Sequence, residues 1–363
     1  MTPLRSLIDA LETIAPTRHA EAWDNVGLIA GDPSQPVTKA LLTIDYTPEV
    51  AEEAVAGGFD AVVAYHPPIF NAIKRLTAGS FVFDAIRRGI AIYSPHTALD
   101  VAEGGTNDTL ADAIGISDRS PLRLIEPKAH QYKLVTFVPE KDLQRVADAL
   151  FDAGAGRIGN YTRCSFQSPG TGTFYGEEGT NPRVGEAGKL ERAAEVKVET
   201  VMPIARMQEV LAALRQAHPY EEPAFDLVQL AAPPEKLGQG RIGTLAQAPR
   251  TAVIERLKRE LELSQVLVAG PTDGAITRAA CCAGACGDML DDAIRQNAEL
   301  YVTGEMRHHD AIKAANAGIT VVCTLHSNSE RAVLKRLARR LSDLVPQLAL
   351  HISEADRDPF RIT

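Results

Sequence analysis

The apolar residues of this chain gather in short continuous runs, and four of these runs stop at a histidine or a glutamate. The four runs are AVVAYH at 61–66, IAIYSPH at 90–96, LYVTGE at 300–305 and ITVVCTLH at 319–326. A short run without polar alternation is typical of a parallel strand that is buried on both faces. Open α/β sheets bind ligands at the carboxyl ends of their strands, so the polar residues at these ends are candidates for a common site.

Strand and helix patterns alternate around these runs, in 1–126 and again in 233–363. The chain begins with Thr2 and Pro3 placed as N-cap and first residue of an amphipathic helix. Further helices are predicted after Pro48, over 80–88, 251–262 and 307–316, and from about 288 and 328. This alternation predicts an α/β fold in which helical crossovers join parallel strands.

The middle of the chain, 127–232, has a different pattern. It contains the strand pattern YKLVTFVP, a helix over 140–153, a polar, glycine-rich stretch over 154–190, the strand pattern EVKVETVMP, a helix over 205–217, and AFDLVQL. This order predicts a small ferredoxin-like α+β domain. We therefore expect two similar α/β halves, 1–126 and 233–363, to form one domain that is split by the inserted domain 127–232.

Composition narrows the classes of function. The chain has 363 residues, 45% of them hydrophobic, a formal net charge of −9 and a pI of about 5.6. This balance argues against a nucleic-acid-binding protein, which needs an extended basic face. No run approaches the ~18 apolar residues that a membrane span needs. Five cysteines without a paired C-x-x-C motif suit a reducing cytoplasm, where we expect the protein.

The first candidate ligands lie in the amino-terminal part. His66 precedes Pro67, which favours an extended backbone that directs the histidine away from the strand tip. The alternative is a histidine that is hydrogen-bonded within the strand–helix turn. His96 and Asp100 are spaced to serve one divalent ion together, or Asp100 only caps the loop.

His326 and Glu330 are spaced to lie on one face of a helix that begins near Ser327. Glu330 then offers two oxygens and can bridge two ions, or it is a solvated glutamate at a helix start. The strand ends together supply nitrogen and oxygen ligands without a thiolate, from His66, Asp100, His326 and Glu330, with His96 nearby. This mixture favours zinc, iron or manganese in a catalytic type of site.

Three further features have both a functional and a structural interpretation. Glu305 ends a buried run and is a possible neighbour of the site. The turn from Gly284 to Gly287 can present backbone N–H groups to a substrate phosphate at a helix start, although any tight turn uses the same glycines. Trp23 is the only tryptophan, and we expect it to anchor the first strand in the core, the alternative being contact with the substrate.

Several motifs along the chain resemble those of the NIF-three-like family, whose members are also described as GTP cyclohydrolase I type 2 homologues and as dinuclear-metal hexameric proteins. The matching stretches are EAWDNVGLIAG at 21–31, YHPPIFNAIKRL at 65–76, HTALDVAEGGTNDTLA at 96–111, YVTGEMRHHDA at 301–311 and HSNSER at 326–331. The segment HPYEEPAFD at 218–226 is similar to the inserted domain of the longer members.

The resemblance implies two α/β halves around a cleft, a two-metal centre and a ring-shaped homohexamer. It places the metal ligands on His66, Asp100, His326 and Glu330, with Glu330 as the bridge. Many bacterial members have two consecutive histidines where this chain has Tyr65 and His66. Because a neutral phenol is a poorer ligand than imidazole, we expect one or two bound ions, with the second position weakened.

The function that these features predict is metal-dependent hydrolysis of a nucleotide or a similar small substrate, as the family name suggests. A family does not fix a substrate, so GTP itself is only one candidate. The alternative is a non-catalytic, metal-binding hexameric scaffold or sensor that acts through its inserted domain.

Overall fold

A computed structural model describes residues 2–125, 131–180, 182–230 and 237–361 of the chain. The chain folds into two compact units. The larger comprises Met1–Ile125 with Lys236–Thr363, and the smaller comprises Glu126–Glu235. Both contain helices and sheets, so the prediction of a mixed α/β chain is confirmed.

The described strands are β1 (Thr2–Pro3), β2 (Gly27–Ala30), β3 (Pro36–Val37), β4 (Lys39–Thr43), β5 (Ala61–Ala64), β6 (Ala91–Ser94), β7 (Ser117–Ser120), β8 (Arg123–Leu124), β9 (Gln131–Pro139), β10 (Ser165–Tyr175), β11 (Leu190–Pro203), β12 (Phe225–Gln229), β13 (Gly238–Gln239), β14 (Arg241–Pro249), β15 (Leu267–Ala269), β16 (Ala275–Cys282), β17 (Leu300–Thr303), β18 (Thr320–Cys323) and β19 (Ala349–Ile352). The described α-helices are α1 (Leu4–Ile14), α2 (Pro48–Ala56), α3 (Phe81–Arg87), α4 (His96–Val101), α5 (Thr106–Ile114), α6 (Leu143–Asp152), α7 (Met207–Ala217), α8 (Arg250–Glu260), α9 (Leu290–Arg295), α10 (His308–Asn316), α11 (His326–Glu330) and α12 (Val333–Leu344).

One sheet of the larger unit has the strand order β19-β4-β5-β6-β2. Its first four strands are parallel neighbours, and β2 joins β6 antiparallel. Alternate residues of β4 pack on opposite faces: Leu42 joins a core with α1 and α12, and Leu41 joins a core with α2 and α3. Because helices cover both faces, the central strands are apolar throughout.

The second sheet of this unit has the order β15-β18-β17-β16-β14-β7, with β16, β17 and β18 parallel. Helices α5 and α8 pack on one face, and α9 and α10 pack on the other. The four runs singled out in the sequence are therefore buried parallel strands, as predicted. They are β5 and β6 of the first sheet and β17 and β18 of the second.

The smaller unit follows the order strand, helix, strand, strand, helix, strand from β9 to β12. Its antiparallel sheet has the order β10-β11-β9-β12, and α6 and α7 contribute Leu150 and Leu214 to its core. The stretch 154–190, for which the sequence indicated only a polar segment, contains β10. This strand pairs with β11 from Ser165 opposite Thr200 to Tyr175 opposite Leu190.

Two local predictions are wrong. Thr2 does not cap α1, because it pairs with Val37 in a short strand, and Pro3 takes the N-cap position. Trp23 is 59% exposed and is not a core anchor. Within the described ranges, every helix is too short or too polar to span a lipid bilayer.

Candidate metal centre

Three of the predicted ligands, His66, His326 and Glu330, meet in the larger unit, with one ligand atom of each within 4.8 Å of the others. His66 Nε2 lies 3.3 Å from Glu330 Oε2, and His326 Nε2 lies 3.4 Å from Glu330 Oε1. The buried atoms His66 Nε2 and Glu330 Oε2 have no hydrogen-bond partner in the described part of the chain. Two ligands of a tetrahedral ion with bonds of about 2.1 Å lie about 3.4 Å apart, so these residues fit a bound ion.

The local backbone explains how these side chains converge. His66 follows β5, while His326 begins α11 directly after β18 and places Glu330 one helical turn away. Leu325, which precedes His326, has φ of +72°. A bulky residue in the left-handed region is strained, and such strain concentrates at functional sites, where the surrounding structure holds it.

Three histidines at these strand ends each have a carboxylate oxygen beside Nδ1. The pairs are His66 with Asp45 at 2.9 Å, His96 with Asp24 at 2.8 Å, and His326 with Glu305 at 3.1 Å. An ionised carboxylate only accepts hydrogen bonds, so each Nδ1 carries the hydrogen. This arrangement orients each ring and leaves Nε2 as the ligand atom, as is usual around metal-binding histidines.

The imidazole rings lie close together, and nearby acids raise the pKa of His66. The His66 ring centroid lies 5.2 Å from that of His96 and 5.3 Å from that of His326. Burial of His66 disfavours its charged form, but the hydrogen bond to Asp45 and the negative charges of Glu330 and Asp45 outweigh burial and raise its pKa to about 10. Burial also opposes ionisation of Asp45, yet the hydrogen bond to His66 holds the pKa of Asp45 below its usual value.

Asp100, the fourth predicted ligand, is not part of this three-residue group. Its Oδ1 accepts a hydrogen bond from the hydroxyl of Tyr65, which is 1% exposed. Burial raises the pKa of Asp100 to about 6, and burial together with the charge of Asp100 raises the pKa of Tyr65 well above its usual value. Tyr65, which stands at the first of the two histidine positions of the motif that this chain resembles, is thus a neutral donor to Asp100.

Gly284 lies beside Glu330 and has φ of +77°. A Cβ added to it would lie 2.9 Å from Glu330 Oε1. Its backbone N–H donates to Ser329 Oγ at 2.8 Å, and Gly287 begins a single turn of 3₁₀-helix. The predicted phosphate-binding turn therefore lacks the Gly284 donor, because the protein uses that N–H itself. The glycine instead leaves room for the Glu330 carboxylate.

Asp356 joins the first sheet to the helix that carries Glu330. Its Oδ2 accepts the backbone N–H of Ile44 at 2.7 Å and pairs with Arg331 at 2.6 Å. Ile44 directly precedes Asp45, and Arg331 directly follows Glu330. One carboxylate therefore fixes the spacing between the end of β4 and α11.

Sequence reasoning missed two residues of this arrangement. Asp45 ends the run KALLTID at 39–45, so the rule that selected the other strand ends would also have found it. Asp24 lies outside the apolar runs, so the same rule does not reach it. Its carboxylate accepts hydrogen bonds from Thr97 and contacts His96, through chain segments that no local pattern connects.

Comparison with known proteins agrees with the motifs. The chain matches the Duf34/NIF3 (NGG1p interacting factor 3) family over residues 2–359. A relative from Halalkalibacterium halodurans, named GTP cyclohydrolase 1 type 2 homolog, is 35% identical over 366 residues and 98% of each chain. A relative of the same name from Mycobacterium tuberculosis is 37% identical over 335 residues, which cover 90% of this chain and 88% of the relative.

Solved structures are similar over the whole chain. The Bacillus cereus protein related to NIF3 is 34% identical with a TM-score of 0.68, covering 100% of this chain and 99% of its own. Staphylococcus aureus protein SA1388 is 27% identical with a TM-score of 0.77 and the same coverage. This chain therefore belongs to the Duf34/NIF3 (NGG1p interacting factor 3) family.

Proposed function

We propose that the protein binds a divalent metal ion through His66, His326 and Glu330. The observation that carries this proposal is the pair of buried atoms His66 Nε2 and Glu330 Oε2, which lie 3.3 Å apart and form no hydrogen bond within the described residues. Burying two such polar groups without a hydrogen bond is costly, and a shared ion removes that cost. Nitrogen and oxygen ligands favour zinc, iron or manganese.

We further propose that this centre catalyses hydrolysis of a nucleotide or a similar small substrate. Three protein ligands leave an open position, as in catalytic rather than structural sites. A bound divalent ion supplies Lewis acidity, which activates water and polarises an electrophile. The name of the curated relatives, GTP cyclohydrolase 1 type 2 homolog, makes GTP the first substrate to test.

The residues around the ligands have positioning roles in this proposal. Asp45 and Glu305 hold the hydrogens on Nδ1 of His66 and His326, so that both rings present Nε2. Tyr65 engages one of the two oxygens of Asp100, which weakens Asp100 as a ligand at a second position. We therefore expect about one ion per chain, and a second ion would require Asp100 and His96 as ligands.

The test is Glu330→Gln, which keeps the side-chain shape and removes the carboxylate charge. We expect loss of bound metal by elemental mass spectrometry and loss of GTP turnover, with an unchanged circular dichroism spectrum. Glu255→Gln is the matched control, because Glu255 lies on α8 with a side chain that is 66% exposed. Full metal content in the Glu330 variant would contradict the proposed ligand set.

A non-catalytic, metal-binding scaffold or sensor is the second candidate. Its support is a cavity of about 630 Å³ in the smaller unit, lined by residues of β10, by Glu195 and Lys197 of β11, and by Tyr220. A cavity of this size suits a small ligand. Metal-loaded protein that turns over no nucleotide and changes its properties when a ligand fills this cavity would favour this function.

We also propose the finer architecture that the sequence predicted. The order of strands and helices in the smaller unit, with its sheet order β10-β11-β9-β12, supports an inserted ferredoxin-like domain. Acidic residues at corresponding positions before β5 and β17 support the prediction of two similar halves. Asp60 before β5 accepts the backbone N–H of Thr38 at 2.7 Å, and Glu299 before β17 accepts that of Thr277 at 2.7 Å.

We infer a cytoplasmic homohexamer that has no membrane or nucleic-acid partner. The family resemblance supports the hexamer, and five cysteines without a paired C-x-x-C motif support the cytoplasm. The net charge of −9 argues against binding to a phosphate backbone. Light scattering of the metal-loaded protein tests the hexamer.

A further inference from the structure

An exposed aromatic pair lies beside the imidazole cluster. Trp23, the only tryptophan of the chain, is 59% exposed, and its ring centroid lies 6.1 Å from that of His96. Phe70 is 48% exposed, and its centroid lies 5.8 Å from that of Trp23 with the planes inclined by 50°. Large apolar rings at the surface next to polar chemistry are a usual feature of ligand-binding sites.

The exposure of Trp23 does not come from a loose segment. Its neighbour Asp24 has a fully buried side chain, and Asp24 accepts hydrogen bonds from Thr97 and contacts His96 at 2.8 Å. The Nδ2 of Asn25 donates to the carbonyl of Ile69 at 2.6 Å. These contacts fix Trp23 to the start of α4 and to the segment that carries Phe70.

We propose that Trp23 and Phe70 form a stacking platform for a planar heteroaromatic ring of the substrate, such as a nucleobase. The inference rests on the proposed function and names the class of substrate. The His96 ring is 5.2 Å from the His66 ring, so a ring on the platform lies next to the metal ligands. Every nucleobase has a π-face, and stacking on aromatic side chains binds bases with little dependence on sequence.

The loop of Phe70 also carries cationic side chains. Lys74 and Arg75 are exposed, and within the described residues neither forms an ion pair. Cations without a carboxylate partner suit an anionic group such as phosphate. A planar ring with an attached phosphate therefore suits the aromatic pair together with the cations of the same loop.

The single tryptophan makes the platform directly observable. Metal-loaded wild-type protein is titrated with GMP, with guanosine, and with ribose 5-phosphate, which lacks the ring. We expect saturable quenching of tryptophan fluorescence by GMP and guanosine and none by ribose 5-phosphate. The same titrations at several protein concentrations show whether a second copy of the chain covers Trp23 instead.

Calorimetry with the variants then tests the contribution of each ring. Trp23→Leu should weaken GMP binding about 5- to 150-fold, which corresponds to the ~1–3 kcal/mol of stacking one base on an aromatic side chain. Phe70→Leu should weaken it less, and Trp23→Phe should restore part of the affinity. Phe166→Leu is the matched control and should change nothing, because Phe166 is 67% exposed on β10 of the smaller unit.

The metal content of every sample separates this inference from the proposed function. Normal metal content with no quenching by GMP or guanosine, or with equal GMP affinity in wild type and Trp23→Leu, would overturn the platform alone. Emission that depends on protein concentration and not on ligand would also overturn it, in favour of a contact between copies. Protein that binds no metal but still shows ring-dependent quenching would refute the metal site and leave the platform standing.

Discussion

Replacing Gly284 with alanine should weaken metal binding, whereas the same replacement at Gly318 should not. Both glycines are in the left-handed region, with φ of +77° and +75°. A Cβ at Gly284 would lie 2.9 Å from Glu330 Oε1, whereas a Cβ at Gly318 would meet no atom within 4 Å. The two variants therefore share the positive-φ backbone cost and differ in the close contact with Glu330, beside which the Gly284 Cβ makes only ordinary contacts with His326 at 3.6 and 3.7 Å.

The magnitudes follow from these two terms. An alanine in the left-handed region costs roughly 1–2 kcal/mol, so both variants should lose about that much free energy of unfolding. At Gly284, the Glu330 oxygen must also retreat by about 0.5 Å to reach ordinary contact distance. Catalytic and binding sites tolerate displacements of only about 0.5 Å, so metal affinity should fall about 10- to 100-fold.

Urea unfolding of the metal-free proteins measures the first term, and competition with a fluorescent chelator measures the second. Equal destabilisation with a loss of metal affinity only in Gly284→Ala is the expected result. Unchanged affinity in Gly284→Ala would refute the assignment of Glu330 as a constrained ligand. An equal loss of affinity in Gly318→Ala would show that backbone strain alone accounts for the effect.

Two further predictions test other parts of the larger unit. Tyr65→His should release Asp100 and so raise the metal content from about one toward about two ions per chain. Elemental mass spectrometry measures this content, and an unchanged value would refute the role of Tyr65 in weakening the second position. Burial of Asp60 opposes its ionisation, but hydrogen bonds from Thr38 and Lys39 lower its pKa below the ordinary 3.8. Its contribution to stability is therefore complete above pH ~4 and is lost as the pH falls below that value. Asp60→Asn should lower the free energy of unfolding by about 1 kcal/mol at pH 7 and by less in acid, as measured by urea unfolding. A loss of stability that does not depend on pH would contradict this reasoning.

The strand ends could be predicted from the sequence because a strand that is covered on both faces must be apolar throughout. The apolar runs at β5, β6, β17 and β18 therefore marked both the sheets and the edges at which His66, His326 and Glu330 meet. The pattern of apolar residues located these strand ends without any knowledge of the tertiary contacts.

The errors arise where tertiary structure overrides a local preference. The segment of β10 contains Pro169, Gly170 and Gly172, which are typical of loops, yet it is a strand because β11 pairs with it along its length. Pro169 is tolerated because β10 lies at the edge of the sheet. Trp23 was expected in the core as the only tryptophan of the chain, but hydrogen bonds of its neighbours Asp24 and Asn25 hold it at the surface.

The turn with His96 and Asp100 and the turn with His326 and Glu330 share a sequence spacing but differ in the surroundings of their acids. His96 and Asp100 on α4 have the same spacing as His326 and Glu330 on α11, and positive φ occurs at His96 (+24°) and at Leu325 (+72°). Glu330 meets two imidazoles, whereas Asp100, one methylene shorter, meets the hydroxyl of Tyr65. Spacing predicted both turns, but the residues that face each acid distinguish them. Because Tyr65 donates its hydrogen to the Asp100 carboxylate, the α11 side is the position at which metal binding should be strongest.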